Sequence, residues 1–319
     1  MDWKMKKVFI DGQEGTTGLQ IFERLKDRDD IELLEIPYDK RKDRATKSEL
    51  LNTADLVILC LPDQAAKDSV ALVNNPDTKI IDASTAFRTD PNWTYGLPEI
   101  DPSQREKIKE SKRVSNPGCY PTGFILSIAP LISSGIMSNE AMVSINAVSG
   151  FSGGGKKLIS QYENSYNKEM EHFSFRPYAL GKQHKHVGEM HLMTGLSKPP
   201  VFFPSVGNFY NGMLITTPVF KEYLNKDIDS IHGYLQNHYV DEKFVNVMEL
   251  NSDEPLEGGF LSATTLNGTN NVDIFLYDHG DAILIVSRLD NLGKGASGAA
   301  VQNMNLMLGF KEDKSLLSF

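Results

Sequence analysis

Four short apolar runs open the chain, KKVFI (6–10), IELLEI (31–36), DLVILCLP (55–62) and TKIIDAST (78–85), with helical stretches between them. In TGLQIFERLKD the spacing of Ile21, Phe22 and Leu25 puts them on one helical face; KSELLNTA and DQAAKDSVALVNN are the other helix candidates. Strands that alternate with helices pair in parallel through right-handed crossovers, so this third of the chain predicts an α/β, doubly wound sheet.

The texture changes after Gly118. AMVSINAVSG, PVFFPSVGNF, GMLITTPVF and DAILIVSRLD read as longer strands with few helices between them, the pattern of a mostly antiparallel or mixed sheet in an α+β domain. KGASGAAVQNMNLMLGF (294–310) reads as one helix with Ala300, Met304 and Met307 near one face. A chain of 319 residues accommodates two domains. The division expected is 1–117 and 118–293, with the terminal helix segment 294–319 returning to the first domain.

The first predicted strand runs into DGQEGTTG, where Gly12, Gly15 and Gly18 are spaced G-x-x-G-x-x-G and Thr16 and Thr17 open the helix. Glycines there permit a tight turn and close approach to a pyrophosphate, which the free N–H groups of the helix start attract. The spacing departs from the usual G-x-G-x-x-G, and its position at the first strand-to-helix turn is what makes it a Rossmann-type dinucleotide site. Glu35 lies near the place of a ribose-binding acid, but the second strand ends in IPYDKRKDR, with Lys40, Arg41, Lys42 and Arg44 just beyond. Cations there suit a 2′-phosphate, so the cofactor expected is NADPH/NADP, with Arg41 as its contact; a solvated basic loop is the bland alternative. GFSGGGKK (150–157) imitates a phosphate loop, but Lys157 stands where a Mg²⁺-binding hydroxyl is needed, which argues against an NTPase.

A net charge of −9 argues against a nucleic-acid surface, and no apolar run approaches the roughly 20 residues that span a bilayer. The start, MDWKMKKVFIDG, lacks the apolar stretch of a signal peptide, so a cytoplasmic protein is expected. Its two cysteines, Cys60 and Cys119, make no disulfide framework. Cys60 falls in an apolar strand and reads as packing. Cys119, in SNPGCYPTG, follows turn residues and precedes the buried-helix pattern TGFILSIAPLI. A thiol at a helix N-terminus has its thiolate stabilised by the dipole and becomes a nucleophile.

Such a nucleophile wants a partner, and GKQHKHVGEM supplies His184, His186 and Glu189. If that segment is extended, the two histidines share a face, and Glu189 could orient an imidazole. Either histidine could serve. Zinc is the competing reading, but a catalytic zinc wants three well-placed ligands and no further spacing here supplies them, so no metal is expected. His172, His191, His232, His238 and His279 carry no distinguishable signal.

Together these segments resemble the N-acetyl-γ-glutamyl-phosphate reductases of the semialdehyde dehydrogenase superfamily. The resemblance runs through DGQEGTTG, DASTAFR (82–88), VSNPGCYPTG (114–123), HKHVGEM (184–190) and DNLGKGASGAAVQNMNLM (290–307), and the length matches the shorter subgroup. It implies NADPH in the first domain and a reactive cysteine at the junction. By the same resemblance Cys119 is the nucleophile, His186 its acid/base partner, His184 and Glu189 line the pocket, Arg88 contacts the anionic substrate and Asn303 the nicotinamide. The implied reaction is NADPH-dependent reduction of a small acyl phosphate through a cysteine thioester, in arginine biosynthesis. Neither a nucleic acid nor a membrane is an expected partner, while the apolar strands of the second domain suit a homo-oligomer, dimer or tetramer. GFSGGGKK is richer in lysine than the corresponding loops of the longer reductases. The rival readings are an aspartate-semialdehyde dehydrogenase or aminoadipyl-phosphate reductase, which share the chemistry, and a non-catalytic NADPH-binding regulator. A cysteine hydrolase leaves the dinucleotide turn unexplained.

Overall fold

The computed structural model describes residues 5–41, 43–164 and 173–318, so Lys42 and His172 lie outside the described residues. The chain divides into two compact units: Met1–Pro98, Pro102–Pro117 and Ala296–Leu316 form one; Glu99–Asp101, Gly118–Gly295 and Leu317–Phe319 form the other.

In the first unit the elements are β1 (Lys6–Asp11), α1 (Thr16–Leu25), β2 (Ile31–Leu34), α2 (Arg44–Thr53), β3 (Leu56–Leu59), α3 (Asp63–Val70), β4 (Lys79–Asp82), β5 (Thr94–Tyr95), α4 (Gln104–Glu110) and β6 (Arg113–Ser115). The strands form one parallel sheet in the order β2-β1-β3-β4-β6-β5. Central strands of such a sheet are covered on both faces, which is why β3 is the unbroken apolar run Leu56–Leu59 with every side chain buried. Phe9, Leu51, Val57, Leu59 and Ile80 fill one core between sheet and helices. The strand order reverses between β1 and β3, and the crevice at their carboxyl ends is where such sheets bind ligands.

The second unit begins with α5 (Cys119–Ser133), followed by β7 (Ser144–Gly150), α6 (Gly155–Asn164), β8 (Phe175–Pro177), α7 (Val187–Thr194), β9 (Val201–Gly207), β10 (Met213–Phe220), α8 (Ile228–Tyr239), β11 (Val245–Val247), the small hairpin β12 (Leu256–Glu257) and β13 (Phe260–Leu261), β14 (Val272–His279) and β15 (Ala282–Leu289). Its seven-stranded sheet runs β11-β14-β15-β10-β7-β9-β8 and is mixed, since β7 with β9 and β11 with β14 are parallel pairs. The sequence reading missed β14, which pairs along its whole length with β15. It also expected fewer helices than the unit holds.

α5 is apolar on every side and buried from Tyr120 to Leu131, so it needs neighbours all round: β10 and β15 of the sheet, and α7 and α8. It contains Pro130, which lacks the N–H that would bond to the carbonyl of Leu126. Tyr239 at the end of α8 repairs this, its hydroxyl donating to Leu126 O at 2.6 Å. The terminal segment is a π turn, Gly293–Ser297, followed by α9 (Gly298–Leu308), rather than one helix from 294. Glycines at 293, 295 and 298 weaken the α-helical preference there. Within the first unit α9 packs on α1 and α4, and Arg28 Nη1 donates to Asn305 Oδ1 at 2.6 Å.

Replacing Tyr239 by phenylalanine leaves the Leu126 carbonyl buried without that donor. We expect a loss of about 1–3 kcal/mol in urea unfolding; a variant as stable as the parent would show that the Pro130 break needs no repair.

Candidate active site

Cys119 is the first residue of α5, and Gly118, its N-cap, is in extended conformation. Since α5 is buried on all sides, the sulfur's carrier is held by the packing of the whole helix, and the thiol sits where burial gives way to partial exposure. The backbone N–H of Gly118 donates to Glu189 Oε2 at 3.1 Å. Glu189 belongs to the first turn of α7 and is itself buried. The carboxylate thus clamps the start of α7 to the residue preceding the cysteine.

The histidines lie just before α7, but in a turn rather than the extended segment expected. His186 is the helix N-cap and has α-helical dihedrals, because its carbonyl already accepts the first helical bond from Met190 N. The turn brings the two rings to 4.7 Å between centroids, and His186 N donates to His184 Nδ1 at 3.2 Å. With Nδ1 an acceptor, the neutral His184 ring carries its proton on Nε2. Tyr120, Tyr178 and Phe202 stand edge-on around His184, at 6.2, 5.6 and 5.3 Å. This enclosure disfavours the imidazolium and, with Lys185, lowers the His184 pKa to about 4.

Tyr120 donates to Ser205 O at 3.1 Å, and Tyr178 to the Tyr120 hydroxyl at 3.4 Å. Burial pushes Tyr178 up to about 12 and Tyr120 well above its ordinary range, and the charge of Cys119 contributes to both shifts. Tyr120 is the residue after Cys119 and Tyr178 bonds to it, so the tyrosines lie near the cysteine. These aromatic residues went unnoticed in the sequence; Tyr120 follows the cysteine directly, whereas Tyr178 and Phe202 carry no spacing signal.

The loop GFSGGGKK follows β7 as a short 3-10 turn, Phe151–Gly154, and leads into α6. Ser152 Oγ donates to Asn211 Oδ1 at 2.7 Å and receives Asn291 Nδ2 at 2.9 Å, while Lys156 and Lys157 are exposed.

In the first unit the glycine turn lies between β1 and α1. Gly12 has φ +89°, and a side chain there would collide with the carbonyl of Cys60, so the turn passes against the end of β3. Gly15 caps α1 without a side-chain hydrogen bond, Thr17 lies in the first turn, and Gly18 packs its α carbon onto the carbonyl of Gly12. The Thr16 hydroxyl is buried with no hydrogen-bond partner. A tight turn, a helix start and an unspent hydroxyl at the strand-order reversal fit the phosphates of a dinucleotide.

Arg41 stacks 4.5 Å from the centroid of the Tyr38 ring and pairs with Glu14 of the glycine turn at 2.7 Å. Asn303 is fully buried in α9; its amide donates to Gly96 O at 2.9 Å and Asn116 Oδ1 at 3.2 Å, and its own carbonyl has no partner. Arg88 is buried, with Nη2 donating to Ala83 O at 3.1 Å. Beside it Asp82 is raised to about 6, by burial first, against the opposing hydrogen bond from Ser84 and charge of Arg88. Cys60 directly follows β3 and is half-buried, and burial together with Asp82 and Asp11 pushes its thiol up. Among the described residues no group of His, Cys, Asp and Glu could hold a metal ion, and no helix is long and apolar enough to cross a membrane.

Residues 37–110 match the family model described as semialdehyde dehydrogenase, NAD binding domain, and residues 119–291 the one described as semialdehyde dehydrogenase, dimerisation domain. An N-acetyl-γ-glutamyl-phosphate reductase 2 of Nostoc sp. is 50% identical over 97% of this chain and 99% of its own length. An N-acetyl-γ-glutamyl-phosphate reductase of Allorhizobium ampelinum is 47% identical over 95% and 98%. Among solved structures, aspartate semialdehyde dehydrogenase II of Vibrio cholerae, complexed with ASA, superposes with a TM-score of 0.73 at 14% identity, over 96% of this chain and 99% of that one. Aspartate semialdehyde dehydrogenase with NADP from Candida albicans does so at 0.63 and 12%, over 96% and 99%. At those identities the likeness is one of fold.

His184 is expected to titrate at about 4 in an NMR pH series, against an ordinary value of 6.5. Between those values the unfolded chain takes up the proton and the folded one does not, so this residue's contribution falls as pH is lowered through that window. His184→Gln should therefore flatten the acid limb of the stability curve there, and an ordinary titration midpoint would refute the enclosure.

Proposed function

This chain belongs to the N-acetyl-γ-glutamyl-phosphate reductases of the semialdehyde dehydrogenase family, and from that premise we propose that it reduces N-acetyl-L-glutamyl 5-phosphate to N-acetyl-L-glutamate 5-semialdehyde and phosphate, with NADPH, in arginine biosynthesis. The observation that carries the chemistry is Cys119 at the start of a helix buried from Tyr120 to Leu131, clamped through Gly118 to Glu189 of the helix that the two-histidine turn opens.

The Cys119 thiolate attacks the acyl carbon, the carbon–oxygen bond to phosphate breaks, and a thioester remains. Thiolate suits this step as a strong nucleophile and the last step as a good leaving group. The helix start and its free N–H groups favour the anionic sulfur. NADPH, when bound, supplies the hydride that reduces the thioester carbon. His186 donates a proton to the resulting oxyanion and takes it back as the carbon–sulfur bond breaks, which releases the aldehyde and restores the Cys119 thiolate. His184 does not compete for that role: its low pKa keeps it neutral near pH 7, and its Nδ1 accepts the backbone N–H of His186, which orients the turn.

Gly12, Gly15, Thr16, Thr17 and Gly18 hold the pyrophosphate, Arg41 reads the 2′-phosphate in exchange for Glu14, and Asn303 offers its free carbonyl to the nicotinamide amide. Arg88 binds the acidic substrate, for which a guanidinium is well shaped. The likeness to aspartate-semialdehyde dehydrogenases concerns fold, whereas the reductases share about half of all residues. The protein works in the cytoplasm.

A second copy of the chain covers the open face of the second unit's sheet. α5 packs on one face, and along β10 the burial alternates strictly, turning Leu214, Thr216, Pro218 and Phe220 to the other. By register Val148, Val201 and Phe203 share that face, with Val201 56% and Phe203 46% exposed. An apolar sheet face of this kind is an interface rather than a solvated surface.

Cys119→Ser should abolish NADPH formation from the aldehyde, phosphate and NADP⁺; substantial residual turnover would remove the nucleophile from the scheme. Replacing Arg41 by alanine should narrow the preference for NADP⁺ over NAD⁺, and an unchanged ratio would place the 2′-phosphate elsewhere. Phe203→Asp should lower the sedimenting mass to that of one chain, whereas an unaltered mass would locate the interface on another surface.

A further inference from the structure

Two opposite charges lie wholly inside the second unit and take no part in the chemistry above. Lys294 Nζ donates to Glu99 Oε1 at 2.6 Å, and both side chains are 0% exposed. Removing two charges from water costs several kcal/mol per ion, and apolar residues of similar volume commonly serve stability as well or better. Stability therefore does not account for the pair, and its surroundings offer another account.

Lys294 is the second residue of the π turn Gly293–Ser297. Such turns are rare; most are single-turn bulges in α-helices, and they are frequent at functional sites. The next residue, Gly295, donates its N–H to Asp290 O at 3.0 Å, five residues back, and is pressed onto the cysteine. A Cβ added to Gly295 would stand 2.7 Å from Cys119 Cβ and 3.2 Å from Cys119 Cα. The backbone of the π turn is thus one wall of the nucleophile's seat, and the adjoining side chain is the anchor of that wall.

The pair has further neighbours in the second unit. Lys294 Nζ lies 5.6 Å from the centroid of the Phe244 ring. The charge of Glu99 adds to the burial that holds Tyr239 above its ordinary range, and the Tyr239 hydroxyl bonds to Leu126 O inside α5. Glu99 is thus near enough for its charge to act on Tyr239, while Lys294 belongs to the turn whose Gly295 lies against Cys119.

We infer that the buried Glu99–Lys294 pair is a positioning device for the reacting thiol, fixing the Gly293–Ser297 turn against Cys119 so that the sulfur is held at one place during acyl transfer. The inference rests on the proposed role of Cys119 as nucleophile. Neither charged residue is a catalytic residue; each acts through the turn.

The test uses the full chain with the double variant Glu99→Leu/Lys294→Met, which removes both charges together, and the single variant Glu99→Asp, which keeps them but shortens the bridge. Each is assayed for thermal unfolding, for kcat and KM with aldehyde, phosphate and NADP⁺, and for the pH dependence of iodoacetamide alkylation at Cys119 and Cys60, read by peptide mass spectrometry. We expect the double variant to fold, kcat to fall on the order of 10- to 100-fold with KM little changed, and the Cys119 alkylation curve to shift while that of Cys60 stays put. Glu99→Asp should lie between the double variant and the parent. Parental kcat and alkylation in a folded double variant would overturn the inference, and so would failure of both variants to fold, which would make the pair a purely structural one. Alkylation needs no substrate, so a parent enzyme inert toward the aldehyde would refute the proposed reaction while the thiol measurement still judged the pair.

Discussion

A helix with no wet face cannot be held by amphipathicity, and α5 is such a helix from Tyr120 to Leu131. Each fully buried large apolar side chain on it contributes about 1.5–3 kcal/mol, and displacing the helix along its axis would disturb all of them at once. The sheet below, α7 and α8 beside it, and the Tyr239 hydroxyl that mends the gap at Pro130 follow from that requirement. Its consequence for chemistry is a fixed origin for the thiol. Cys119 stands on the first turn, where the helix leaves the core but has not yet lost its rigidity.

Much of this organisation is legible in the sequence, for reasons that differ from element to element. Strands β1 to β4 of the first unit declare themselves because parallel strands covered on both faces must be apolar throughout, as LVIL at 56–59 is, whereas β5 and β6 are too short and polar to read. Their order was not readable, because strand order depends on crossovers that no local run records. The cysteine and its histidines are visible as residue types in suggestive company. The box of Tyr120, Tyr178 and Phe202 is not, since rings that meet around His184 are separated along the chain by stretches with no common period.

The histidine turn departs from the extended segment that the sequence suggests. Alternation along an extended segment would have placed both imidazoles on one face with equal claims on the proton. In the turn that starts α7 the two rings meet edge to face, and one backbone N–H spends the Nδ1 lone pair of His184. What distinguishes the two histidines is therefore tautomer and burial rather than position in the sequence. The burial of Arg88 is not legible either, since nothing in the local run of an arginine after a strand records the cavity that encloses it.

The second unit is not a continuous length of chain. Its contribution from residues 99–101 arrives as a detour from the first unit's sequence, and it carries Glu99, the counter-ion of a lysine almost two hundred residues later. Excising Gly118–Gly295 as an independent gene fragment would therefore keep Lys294 and discard its partner, leaving an uncompensated ammonium group in an apolar interior, which is costly. The autonomy of this unit is electrostatic before it is topological, and any dissection, permutation or domain swap among relatives has to carry those three residues with it.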